Sequence, residues 1–171
     1  MSARAAVRLA TLGFTQVYRY VPGKADWFAA GLPREGKRAH TPRAANVARR
    51  DVPTCGLGES VGDVRERVRA AGWHECLVVD DAKVVLGRLR GKALDADPRT
   101  PVDEVMEPGP VTIRPNTLLR SVVENLREKH VDEILVTTSD GELIGSLFLG
   151  NAERRLTESG EQSQDAEGAG A

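Results

Sequence analysis

Apolar residues fall along this chain in two sets of short runs that repeat one another. Val61, Val64, Val68 and Ala71 recur at helical spacing and give one apolar stripe. Ser60 can cap that helix through its hydroxyl, Asp63 suits its positive end, and Gly72 stops it. The run Cys76-Leu77-Val78-Val79 then reads as a buried strand. Asp80-Asp81-Ala82-Lys83 reads as a turn, and Val84-Val85-Leu86 as a second strand paired to the first. A short apolar piece, Val52-Pro53-Thr54-Cys55, precedes the helix, and a short helix from about Lys92 to Ala96 closes the unit.

The second set repeats this order. Val111-Thr112-Ile113 is the leading strand, and Arg114-Pro115-Asn116-Thr117 ends it and caps the next helix. Leu119, Val122, Val123 and Leu126 form the helical stripe. Ile134-Leu135-Val136-Thr137 and Leu143-Ile144 with Leu147 form a hairpin about Ser139-Asp140-Gly141. Asp-Gly is a strong turn signal, because glycine accepts a positive φ without a Cβ clash. A last helix runs from roughly Asn151 to Leu156. The frame from Val64 to Leu89 lies without a gap over Val122 to Leu147, at an offset of 58 residues. Glu66 falls on Glu124, Glu75 on Glu133, Leu77-Val78 on Leu135-Val136, and Gly87 on Gly145. Identities recurring at one offset mean one structural unit used twice.

A β-α-β-β-α unit of this size has a thin core, and its hairpin needs cover on one face. Two such units back to back bury both stripes, so residues 51–157 read as one α/β domain built as a pseudo-twofold pair. Its repeats span 51–98 and 99–157. Before it, Ala5, Ala6, Leu9 and Ala10 suggest a helix that Gly13 ends. Val17-Tyr18-Arg19-Tyr20 suggests a strand, Pro22-Gly23 a turn, and Ala25 to Ala30 a second helix with Gly31 as its C-cap. Residues 37–50 read as a basic linker, and 158–171 as a disordered acidic tail.

Charge and composition sharpen this picture only locally. With 171 residues, 40% hydrophobic and 29% charged, the chain fits an ordinary globular protein. Its net charge of −1 gives no global field for nucleic acid. The stretch from Arg34 to Arg50 carries six basic residues against Glu35 alone, and the tail after Arg155 carries four acidic residues and no basic one. The basic stretch has no interleaved aromatics and no recognition helix, so a solvated tether is the expectation and nucleic-acid contact the weaker alternative. Cys55 and Cys76 match no CxxC pattern and read as reduced thiols. No apolar run is long enough to span a bilayer and no signal sequence precedes the first helix, which predicts a cytoplasmic protein. His40, His74 and His130 have no ligand spacing, so no metal is expected.

The doubled unit, with its leading Thr112-Ile113-Arg114-Pro115, amphipathic helix, hairpin and Gly145, resembles the cystathionine-β-synthase-type (CBS) domain pair. Val102-Asp103-Glu104-Val105-Met106 looks like that family's usual V-x-x-V-M opening of a second repeat. The N-terminal wording Leu12-Gly13-Phe14-Thr15-Gln16-Val17-Tyr18-Arg19-Tyr20, then Gly23-Lys24-Ala25-Asp26-Trp27 and Gly31-Leu32-Pro33, resembles the closing part of a rhodanese domain over residues 1–36. The nucleophilic cysteine of a rhodanese would lie ahead of Met1. That resemblance therefore implies a truncated segment without sulfurtransferase activity.

The CBS resemblance implies a regulatory, ligand-sensing module and not an enzyme. It implies an adenosine ligand such as AMP, ATP or S-adenosylmethionine in the cleft between repeats, with homodimerisation and a regulated protein partner. In that family the leading strand holds the adenine, which points here to Thr112, Ile113 and Arg114 in one repeat and Cys55 in the other. An aspartate at the start of the closing helix grips the ribose, since both hydroxyls can donate to one carboxylate. This chain departs there, with Ala93 in the first repeat and Asn151 in the second. Arg88 and Arg90 alternate with Leu89 and so share one face. They suggest an anion site, against a plain solvated edge paired to Asp80, Asp81 or Asp95. Cys76 falls on Ile134 and reads as core. Two other readings stay open: the regulatory part of a sulfurtransferase whose catalytic portion is not in this chain, and a structural dimerisation domain with empty clefts.

Overall fold

The structure, a computed structural model, describes residues 2–18, 20, 23–36 and 39–168. Arg19 of the expected first strand, Pro22 of the expected turn, Lys37 and Arg38 of the linker, and 169–171 of the tail lie outside the described residues.

The first repeat is β1 (Thr54–Cys55), α3 (Val61–Ala71), β2 (Glu75–Val79) and β3 (Val85–Arg90), following two N-terminal helices, α1 (Ser2–Thr11) and α2 (Gly23–Ala29). Ser60 caps α3, its Oγ accepting from the Asp63 N–H at 3.3 Å, and Gly72 ends it in the left-handed region at φ 67°. Val61, Val64 and Val68 are buried as their spacing predicts, while Ala71 is exposed. The expected closing helix is only a 3₁₀ turn at Gly91–Ala93. Beyond it the Leu94 and Ala96 carbonyls accept from the Arg65 guanidinium, each at 2.6 Å, instead of continuing a helix.

The second repeat follows α4 (Val102–Val105) and β4 (Glu107–Pro108). It comprises β5 (Thr112–Ile113), α5 (Leu119–Glu128), β6 (Glu133–Thr137), β7 (Leu143–Phe148) and α6 (Leu149–Gly168). The two sheets match residue for residue at the 58-residue offset. Parallel β1–β2 pairs Thr54 with Leu77, and parallel β5–β6 pairs Thr112 with Leu135. Antiparallel β2–β3 pairs Val78 with Gly87, and β6–β7 pairs Val136 with Gly145. Each hairpin carries its irregularity one step later, between Val78 and Val79 in the first and between Val136 and Thr137 in the second.

A pseudo-twofold relation joins the repeats. Val84 bridges Glu142, its own counterpart. On either side the Val85 N–H donates to the Gly141 carbonyl at 3.1 Å and the Leu143 N–H to the Lys83 carbonyl at 2.9 Å. Leu135 of the second repeat sits in the apolar core of the first, with Leu143 and Phe148 packed against it. Burying a leucine fully contributes about 1.5–3 kcal/mol, so this shared core ties the repeats into one cooperative unit.

The segment predicted as a solvated tether is packed from Pro42 onward. Ala44 is fully buried in the second repeat's core beside Leu119, Val122 and Ala152. The Leu119 N–H at the start of α5 donates to the Pro42 carbonyl at 3.0 Å, as the Val61 N–H at the start of α3 donates to the Thr100 carbonyl at 2.9 Å. Arg49 exchanges both backbone hydrogen bonds with Ser146 on the edge of β7, while β4 pairs with β3. Each repeat's lead-in therefore covers the other repeat. Thr117 does not cap α5 because Leu118, the counterpart of Ser60, holds that position with no side-chain bond, and the Pro42 carbonyl takes one of the free amides.

Two further expectations are corrected. The described residues at 17, 18 and 20 form no strand, because no strand among the described residues pairs with them. Helix α6 runs on through Gly168, past the expected end near Leu156, since the Glu, Gln and Ala of that stretch favour helix and no proline stops it.

Candidate functional site

Between the repeats lies a cleft of about 220 Å3 lined by Val52, Thr54, Val79 and Lys83 of the first repeat, Leu143 and Ile144 of the second, and Arg50. The apolar side chains form its walls. The exposed Thr54, Lys83 and Arg50 bring a hydroxyl and two cations to it. Lys83 is set there by the turn between β2 and β3, where it adopts φ 61°. Arg50 is anchored by donation from Nη2 to the Ala29 carbonyl at 3.3 Å.

The expected site residues divide around this cleft. Thr54 faces it, whereas Cys55, one step on in an alternating strand, is buried in the first repeat's core. Thr112 is the repeat counterpart of Thr54 and is exposed, with Ile113 half-buried beside it. The Arg114 Nη1 donates to the Thr138 carbonyl, tying the second leading strand to its hairpin turn. Asn151 lies in the first turn of α6, directly after β7, and β6 lies between β7 and the β5 strand of Thr112 and Ile113. Its Oδ1 accepts from Arg154 Nη2 at 3.1 Å. Arg88 and Arg90 do share a face, opposite the buried Leu89, but both Nε atoms donate to Glu107 at 3.1 Å. Glu107, and not Asp80, Asp81 or Asp95, is their partner. Arg90, but not Arg88, lines a depression of about 580 Å3 together with His74, Lys92, Ala93 and Glu107.

A second group was not foreseen as chemistry. Glu75 opens β2 and its counterpart Glu133 opens β6, so the pseudo-twofold relation brings the two carboxyl groups together. Glu75 is fully buried and neither of its oxygens has a hydrogen-bond partner. Loss of solvent first, and the neighbouring Glu133 second, push its carboxyl up to about 8, against the pull of Arg88 and Arg90. Burial also works upward on Glu133, but contacts with Glu75, Ser146 and His74 hold it below the usual carboxylate range. Ser146 Oγ donates to Glu133 Oε1 at 2.8 Å, and His74 Nε2 lies 3.2 Å from Glu133 Oε2. The repeat alignment places Glu75 on Glu133; an acidic residue opening a run of apolar strand positions was the overlooked signal.

The two thiols are also neighbours. Cys76 is fully buried, and its contact with Cys55 together with that burial pushes its thiol up. A buried thiol held protonated is a packing group, not a nucleophile.

Two copies of a βαββ unit, paired back to back with their lead-ins exchanged, define a tandem-repeat fold. The chain belongs to the CBS-domain family, whose model matches residues 44–91 and 102–150, more than half of its length. No curated protein matches it. Among solved structures, the cytosolic domain of the Mg2+ channel MgtE in complex with ATP is 24% identical, with a TM-score of 0.59 over 66% of this chain and 48% of that one. The match thus spans about half the length of the MgtE domain. CBSX2 in complex with AMP, a CBS-pair protein of Arabidopsis thaliana, is 22% identical over 68% of this chain and 96% of that one, with a TM-score of 0.59. The CBS domains of a transcriptional regulator from Streptococcus pneumoniae are 19% identical over 66% and 98%, with a TM-score of 0.60. At these identities the likeness is one of fold. No helix among the described residues is long and apolar enough to cross a membrane.

Proposed function

We propose that this chain is a regulatory, ligand-sensing module whose inter-repeat cleft takes an adenine nucleotide. The observation that carries the reading is the cleft's composition: apolar walls from both repeats, with Thr54, Arg50 and Lys83 at its polar side. An adenine ring suits the walls of Val52, Val79, Leu143 and Ile144, and the two cations suit a phosphate. The bound AMP of CBSX2 and ATP of MgtE support this class of ligand. At about 220 Å3 the cleft is smaller than the usual range of roughly 300–1,000 Å3, so a whole nucleotide requires Lys83 or Arg50 to swing outward. Thr112, the counterpart of Thr54, faces the symmetry-related position with Ile113 and Arg114 following it in the chain, and Asn151 offers only a neutral acceptor where the family places an aspartate. A neutral acceptor makes bonds about half as strong as a carboxylate, so recognition here leans on the phosphate.

Because the cleft is walled by both repeats, an occupied cleft fixes their relative placement. The signal then passes to a second copy through the repeat helices and on to a regulated protein. No catalysis is assigned to the chain. The test is calorimetry of AMP, ATP and S-adenosylmethionine against the full chain, with Arg50→Glu and Lys83→Glu alongside. AMP or ATP should bind, and each charge reversal should weaken it by about tenfold or more. No heat from any of the three ligands, or equal affinity in both variants, would overturn the reading.

A further inference from the structure

Glu75, Glu133 and His74 form the strongest cluster of ligating groups outside the cleft. One ligand atom from each lies within 4.8 Å of the others. Among the described residues this is the one such group of three. It is not a surface patch of acids: Glu75 is fully buried, and both of its oxygens lack a partner. A buried carboxyl without a donor is costly, and a cation or a proton relieves it. The Glu133 carboxylate is oriented by Ser146, whose Oγ donates to Oε1, leaving Oε2 toward the His74 ring at 3.2 Å. Two ligands about 2.0–2.1 Å from a tetrahedral ion stand a little over 3 Å apart, so this pair is already at ligand spacing. The His74 ring packs edge-on to Phe148, with centroids 6.1 Å apart, which limits its rotation.

We infer that His74, Glu75 and Glu133 bind one divalent transition cation of the zinc type, at the seam between the two repeats. Imidazole with carboxylates selects zinc or a similar first-row ion over magnesium, which prefers an all-oxygen shell. Three protein ligands leave a fourth position for water, and His74 is the exposed side of the cluster. Arg88 and Arg90 share the Glu107 carboxylate, which offsets one of their two charges, and the carboxylates of Glu75 and Glu133 supply the negative charge that a divalent ion needs. Since His74 and Glu75 come from the first repeat and Glu133 from the second, the ion would clamp the pair across its pseudo-twofold seam. This reading is independent of nucleotide binding in the cleft.

The test uses the full chain stripped of metal by chelator and titrated with Co2+, then with Zn2+. One Co2+ per chain should bind with a visible absorption band, which Zn2+ abolishes. His74→Ala, Glu75→Gln and Glu133→Gln should each lower affinity by at least the roughly tenfold that loss of a mere supporting group costs, while His130→Ala leaves it unchanged. X-ray absorption on the zinc-loaded wild type covers the case in which Glu75→Gln fails to fold; it should show only nitrogen and oxygen ligands, including one imidazole. No stoichiometric binding, sulfur ligands from Cys55 or Cys76, or unchanged affinity in His74→Ala and Glu133→Gln would each overturn the assignment.

Discussion

Replacing Glu75 by glutamine should make the protein more stable at alkaline pH and remove most of the fall in stability that the wild type shows as pH rises from 4.5 to about 8. Glu75 is fully buried, and its carboxyl is raised from 4.5 to about 8. Between those values the folded chain holds a proton that the unfolded chain has released. Folded-state stability therefore falls as pH rises through this window. At about 1.4 kcal/mol per pH unit, ionising Glu75 inside the fold costs at most roughly 5 kcal/mol above pH 8. The true loss is smaller to the extent that the carboxylate turns outward or admits water. Glu133 acts in the opposite sense: its folded-state value is lowered, so the stability it contributes is lost as pH falls through that value. The pair is best accommodated with one proton between them, and in the Glu75→Gln variant the new side-chain amide would supply a permanent donor to Glu133 in its place. Urea unfolding followed by tryptophan fluorescence, with chelator present, at about pH 6 and about pH 9 measures the effect. Near pH 6 the two proteins should agree within about 1 kcal/mol, and near pH 9 the variant should be ahead by about 2 kcal/mol or more. Equal pH slopes in both proteins would refute the reasoning.

Other substitutions probe the packing. Gly145→Ala places a Cβ against the Arg49 carbonyl, a backbone atom that cannot swing away, and should cost about 1–3 kcal/mol in urea unfolding. Ala44→Asp puts a charge into the second repeat's core and should cost about 3 kcal/mol or more, although a tether residue would be indifferent; a loss under about 0.5 kcal/mol would show that the lead-in is not packed. Cys55 and Cys76 should react with a thiol reagent only as fast as the chain opens, with both thiols becoming reactive together on unfolding; fast labelling of either in the native state would contradict their burial.

The repeat was legible because its signals are local. Helical stripes, the Ser60 cap, the Asp140-Gly141 turn and the two glycines at Gly87 and Gly145 all follow from spacing within a few residues. The exchange of lead-ins was not legible in the same way. It depends on contacts between Pro42–Arg50 and a helix more than seventy residues later, and Ala44 and Ala48 carry too little apolar surface to stand out among arginines. The weak signal was present: Ala44 and Val47 fall on Val102 and Val105 at the same 58-residue offset. The first strand misled for the converse reason. Val17-Tyr18-Arg19-Tyr20 has strand composition, but a strand needs a partner, and local composition cannot supply one. Thr112, Ile113 and Arg114 were singled out through the family resemblance, while Arg50 and Lys83 reach the cleft only because two distant turns converge. The Glu75–Glu133 pair needed the pseudo-twofold relation in three dimensions, which an alignment of the repeats implies but does not show.

The central claim is that the cleft between the repeats binds a nucleotide, and it is tested most directly by recording amide chemical shifts of the full chain as AMP is added. The account predicts saturable shifts at Thr54, Val79, Lys83, Leu143 and Ile144, from both repeats together. Shifts absent at saturating AMP, or confined to Arg88, Arg90 and Glu107, would contradict it.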